Sequence, residues 1–239
     1  MFGLGTIINV AAIIAGGLIG LVGGKWLSEK CQETIMRGMG VCVMMIGIAG
    51  VMEKMLVVQD GSISTAGTLM MVISIALGAL IGELLNLDGK MLRFGAWLRE
   101  KSGNARDSRF LDGFITATMT VCIGAMAIVG SVEDGIHGNI TILAAKALLD
   151  FVIILVMASS MGKGCIFSAI PVGILQGAVT LLARLVEPLL TEAALANLSL
   201  VGSALIFCVG VNVIWKNTIR VANLLPALII AAAYALLGF

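Results

Sequence analysis

Lys146 and Asp150 stand four residues apart in a stretch, residues 140–160, that is otherwise almost entirely apolar. On a helix that spacing sets the two side chains about 40° apart around the axis, on one face. A charged side chain inside a bilayer costs about 2.5 to 3.5 kcal/mol on insertion scales, so it turns toward protein or water rather than lipid. Two uses fit the pair. One is a structural ion pair; the other is a transport site, in which Lys146 binds an anionic solute and Asp150 tunes that contact or carries a proton. Lysine before aspartate is the weaker order for a helical pair, which leaves either side chain free to engage another helix. Asn9, Gln176 and Asn212 are the further candidates for lining a pathway, with Glu83 and Asn223 secondary. If these side chains converge they line a polar cavity near the midplane; if they do not, each needs a local hydrogen-bond partner. Interhelical amide hydrogen bonds are the commoner use of Asn and Gln in such places. Glu83, a few residues before Lys90, suits a surface or capping role.

The elements that must position these residues follow from composition. Of 239 residues 59% are hydrophobic and only 12% charged, and the mean hydropathy is +1.10. A water-soluble fold of that composition would lack the polar surface to cover itself, so the chain reads as an all-α, polytopic transmembrane bundle in one domain, residues 1–239. Net charge +1 gives no global attraction to nucleic acid. About eight runs approach the length that spans a bilayer, roughly residues 4–24, 37–56, 66–86, 112–132, 140–160, 166–184, 198–215 and 221–238, the sixth and eighth being the weakest, so that seven spans is the alternative. The first lacks a basic leader and is read as a retained helix rather than a signal peptide.

The loops test this count. Lys25, Lys30, Arg37, Lys90, Arg93, Arg99, Lys101, Arg106, Arg109, Lys163, Lys216 and Arg220, twelve of the fifteen basic residues, fall in alternate loops. Only Lys54 and Arg184 fall on the other side. By the positive-inside rule the basic loops are cytoplasmic and both termini are not. Trp26, Trp97 and Trp215 all adjoin these loops, as interfacial anchors would. The longest loop, residues 87–111, holds an amphipathic stretch in which Met91, Leu92, Phe94, Trp97 and Leu98 oppose Lys90, Arg93 and Lys101. It suits a helix lying on the membrane surface, or one that docks a partner.

Glycine-centred patterns recur in spans two, four and seven, around Gly47, Gly124 and Gly210. Spans one to three and six to eight begin on opposite sides, so this similarity would be an inverted repeat. Gly78 and Gly82, with Gly124 and Gly210, suit close helix packing. Pro171 and Pro226 each remove an amide donor and can break a helix.

No P-loop, HExxH, GxSxG or calcium-loop motif is present, and an enzyme is not expected. Neither a cofactor nor a metal site is expected. The five cysteines lack metal-binding spacing. Glu133, Asp134 and His137 read as a solvated turn.

Several of these segments taken together, GTIIN (5–9), GALIGE (78–83), CIGAMAIVGSVEDG (122–135), KALLD (146–150), QG (176–177), CVGVN (208–212) and NLLP (223–226), resemble the DUF554 family of YdfK/YqgA-like bacterial integral membrane proteins of unknown function. The resemblance covers essentially the whole chain. It implies a multi-pass protein of the bacterial inner membrane and supplies no substrate, cofactor or catalytic residue.

Two functions remain. The leading one is transport or conduction of a small polar or ionic solute, with or without ion coupling. The rival is a scaffold or regulator that holds a partner on its cytoplasmic amphipathic loop. Convergence separates them, because a transporter needs polar residues of several spans to face one cavity. The expected partners are the lipid bilayer and such a solute, with no nucleic acid, and self-association into a homo-oligomer is left open.

Overall fold

In lipid every backbone amide must be paired within the protein, so apolar runs of this length fold as helices. A computed structural model describes residues 3–59, 61–122, 125–187, 191–215 and 218–236. The helices are α1 Leu4–Gly24, α2 Glu29–Met55, α3 Thr68–Leu85, α4 Leu87–Lys101, α5 Phe110–Cys122, α6 Ala125–His137, α7 Thr141–Met161, α8 Ala169–Leu181, α9 Ala183–Val186, α10 Glu192–Ile214, α11 Val221–Leu224 and α12 Pro226–Leu236, with a 3₁₀ segment at Lys163–Ser168 leading into α8. Local chemistry sets several boundaries. Ser28 accepts a hydrogen bond from the Cys31 amide to open α2, and Thr191 accepts from Ala194 to open α10. Asn86, with φ of 47°, both ends α3 and caps α4 through the Gly89 amide.

Six helices among the described residues are long and apolar enough to cross a membrane, or seven if the pair α5 and α6, bent by 62°, is counted as one span. The expected fourth span is therefore two helices at an angle rather than one straight helix, and Gly124, between them, lies outside the described residues. The expected eighth span is a shorter apolar stretch, Val221–Ala235. It is interrupted where Pro226, lacking an amide donor, starts α12 afresh. Pro171 sits in the first turn of α8, where a missing donor breaks nothing.

Three glycine seams set the helix directions. Gly16, Gly20 and Gly24 of α1 lie against the carbonyls of Phe151, Leu155 and Ser159, so α1 and α7 run parallel. Gly40, Gly47 and Gly50 of α2 meet Ile214, Phe207 and Ser203 of α10 in antiparallel order, with Gly210 against Met44. Gly78 and Gly82 of α3 meet Ala227 and Asn223, also antiparallel. With α1 packed chiefly on α7 and also beside α8, each of spans one to three touches one of spans six to eight.

The bundle is apolar outside, and its charged and amide side chains are held within a largely apolar interior. Ile7, Leu18, Ile46, Leu80, Leu148, Ile174 and Ile229 are exposed, whereas Asn9, Asp134, Lys146, Asp150 and Gln176 are buried. This inversion suits lipid surroundings. Trp26, Trp97 and Trp215 are exposed at the end that carries the basic loops. At the opposite end a hairpin, β1 Leu56–Gln59 and β2 Ser62–Thr65, joins α2 to α3. It was not among the expected elements; Gly61, with φ of 76°, supports its tight turn.

The amphipathic loop forms α4. Its Met91, Phe94 and Leu98 pack with Phe110, Phe114 and Ile115, while Leu92 and Trp97 remain exposed.

Candidate functional site

The interior charge pair is complete. Lys146 Nζ donates to Asp150 Oδ1 at 2.9 Å and Oδ2 at 2.7 Å, and to the Val121 carbonyl at 2.8 Å. That carbonyl is available because α5 ends at Cys122, and the last carbonyls of a helix have no intrahelical partner. The negative end of α5 and the carboxylate together hold the ammonium. Side-chain exposure is 9% for Lys146 and 4% for Asp150, so neither charge is shared with bulk solvent.

Two amides extend the pair. Asn9 Nδ2 donates to Asp150 Oδ2 at 3.0 Å and to Gln176 Oε1 at 3.3 Å. Four of the predicted residues thus meet: Asn9 on α1, Lys146 and Asp150 on α7, and Gln176 on α8. The parallel α1–α7 seam and the packing of α8 beside α1 bring them together. Asp150 stands halfway along α7 and Asn9 about one and a half turns into α1, so the cluster spans from near the midplane toward the end where α1 begins.

The other candidates lie elsewhere. Asn212 does not join the cluster: its Nδ2 donates to the Ile219 carbonyl at 2.6 Å, and its Oδ1 accepts from the Ile219 amide at 2.8 Å, which pins the connection after α10. Asn223 Oδ1 accepts from the Asp88 amide at 2.7 Å, tying α11 to the start of α4. Glu83 pairs with Arg220 at 3.1 Å on the surface.

Asp134 is the residue that the sequence misplaces. It is part of α6, not of a solvated turn, and is fully buried. Its oxygens accept from the Gly3 amide at 3.3 Å and the Gly5 amide at 2.9 Å, at the positive end of α1. Glu133 and His137 pair four residues apart on the more exposed side. Replacing Asp134 by alanine leaves those amides unpaired and is expected to destabilise the fold by about 1 to 2 kcal/mol, with Asn intermediate. Thermal unfolding in detergent reads this directly, and an unchanged midpoint for both variants would mean that the carboxylate contributes nothing.

Cavities open at both ends. At the basic end one of about 490 Å³ is bordered by Asp88, Arg109, Met119, Ser160, Asn212 and Arg220, among others. At the opposite end one of about 500 Å³ is bordered by Thr6, Gly135, Gly177, Thr180 and Arg184, among others. Thr6 stands three residues before Asn9 and Thr180 four after Gln176, so the second cavity reaches within about one helical turn of the cluster. The same-face spacing of each threonine with its amide was the signal available for finding them.

Residues 4–236 match the model of a family described as protein of unknown function (DUF554). The uncharacterized membrane protein YdfK of Bacillus subtilis is 30% identical over 226 residues, 95% of this chain and 93% of its own. The uncharacterized protein YqgA of Escherichia coli is 28% identical over 232 residues, 95% of this chain and 94% of its own. No solved structure matches.

Proposed function

The chain belongs to the DUF554 family, and from that premise we propose that it moves a small polar or ionic solute across a bacterial cytoplasmic membrane. The observation that supports this reading is convergence. Asn9, Lys146, Asp150 and Gln176, from three helices, meet in a bundle whose outer surface is apolar, between cavities at its two ends. Charged and amide side chains inside a membrane protein are expensive and mark solute pathways. In this reading the basic loops face the cytoplasm and the cavity beside Thr6 faces out. No cofactor and no catalytic chemistry are invoked.

The scaffold reading has less to stand on. Of the apolar face of α4, Met91, Phe94 and Leu98 are packed against the bundle itself, which leaves Leu92 and Trp97 for a partner.

Cysteine accessibility tests the transport reading. On a cysteine-free background, single cysteines at Thr6, Asn9, Gln176 and Ser160 are treated with a water-soluble thiol reagent from each side of sealed vesicles. Thr6 is expected to label from outside and Ser160 from the cytoplasm. Asn9 and Gln176 should label at rates that depend on side or added solute. A folded protein in which neither interior position labels from either side would make the cluster a dry structural lock.

A further inference from the structure

The two amides of the cluster carry a donor and acceptor code whose sense is chemically determined. The Asp150 carboxylate only accepts, so Asn9 must turn its Nδ2 toward it, which leaves Asn9 Oδ1 as a buried acceptor with no partner among the described residues. The same Nδ2 also meets Gln176, whose Oε1 must therefore face it, leaving Gln176 Nε2 as a buried donor without a partner. The hydroxyls of Thr6 and Thr180 are likewise buried and unpartnered. Their residues border the outer cavity and lie on the faces of α1 and α8 that carry Asn9 and Gln176. All four residues are at least nine-tenths buried. Buried polar atoms left unpaired are costly, and four on two neighbouring helices, two of them bordering the outer cavity, call for a polar partner.

Charge narrows the occupant. Lys146 spends its donors on Asp150 and Val121, so the pair presents no net charge. Asp134, the other buried carboxylate near this cavity, is engaged by the Gly3 and Gly5 amides. Arg184, on the cavity border, is exposed to solvent. Among the described residues, nothing buried here compensates an ion for lost hydration. Building on the transport reading, we propose that α1 and α8 form a binding site for a small uncharged carboxamide or urea, whose carbonyl accepts from Gln176 Nε2 and whose N–H donates to Asn9 Oδ1, with Thr6 and Thr180 at its approach.

Purified protein in liposomes tests this by stopped-flow light scattering under imposed gradients of urea, acetamide or glycerol, with potassium and chloride flux followed in parallel. Urea or acetamide is expected to enter at least about tenfold faster than in empty liposomes, and the paired change Thr6→Val with Thr180→Val to slow that about tenfold, the loss of two hydrogen bonds. Thr6→Ser with Thr180→Ser keeps both hydroxyls and should retain the flux. Gln176→Glu, which replaces the donor by an acceptor, should abolish it while the protein still elutes as a folded species. Flux of ions or of glycerol alone would overturn the carboxamide site and leave the transport reading standing. Amide flux indifferent to these changes would overturn the site itself. No flux of any solute by folded protein would overturn both.

Discussion

Replacing Asp150 alone by leucine is expected to destabilise the protein by about 3 to 5 kcal/mol, whereas Lys146→Met together with Asp150→Leu should cost far less, about 1 to 2 kcal/mol. The single change strands an ammonium that is 91% shielded by its surroundings, with only the Val121 carbonyl left to it. The double change removes both charges and fills similar volume, and buried pairs replaced in that way are often close to neutral. Asn9 loses an acceptor in either variant, a further cost of about 1 kcal/mol. Thermal midpoints in detergent separate the two outcomes. Equal stability of single and double variants would mean that water reaches Lys146 and screens it. The double variant also separates folding from transport: it should stay assembled and lose solute flux, and flux at the normal rate would take the pair off the pathway.

Gly20→Leu should part α1 from α7 and cost about 3 kcal/mol or more. A side chain there would run into the Leu155 carbonyl and the Ala158 methyl, and backbone cannot yield as a flexible side chain does. The neighbouring Gly23 is a built-in control, because nothing stands within 4 Å of where its side chain would begin. Gly23→Leu should therefore change stability by no more than about 0.5 kcal/mol. The damage at Gly20 should extend to the site, since α1 carries Asn9 onto Asp150. Labelling of a cysteine at Gln176 should rise in Gly20→Leu and stay unchanged in Gly23→Leu. Equal thermal midpoints for the two variants would sink the idea that this seam holds the bundle.

What could be read from the chain alone was what one helix carries by itself. The apolar runs, the alternate basic loops, the amphipathic face of α4 and the shared face of Lys146 and Asp150 are all local patterns. Pairings between distant segments were not visible. Asp134 looked like a turn residue beside glycines, because the amides that it satisfies, those of Gly3 and Gly5, lie at the far end of the sequence. Asn212 looked equivalent to Asn9, each an amide in an apolar run. Only the path of the chain after Trp215, which folds Ile219 back onto it, distinguishes them. The bend between α5 and α6 likewise had no proline to announce it, and with it went the carbonyl that receives Lys146.

The seam between α1 and α7 also sets a schedule for synthesis. The surface of α1 around Gly16, Gly20 and Gly24 fits residues 151 to 159, which the ribosome makes only after most of the first half of the chain has been inserted. At typical elongation rates that delay is on the order of ten seconds. Meanwhile α1 sits in the bilayer with Asn9 facing lipid or a temporary neighbour, a state that costs more the longer translation stalls. Nascent chains halted before residue 151 should thus be the form most dependent on membrane chaperones and most open to quality-control proteases.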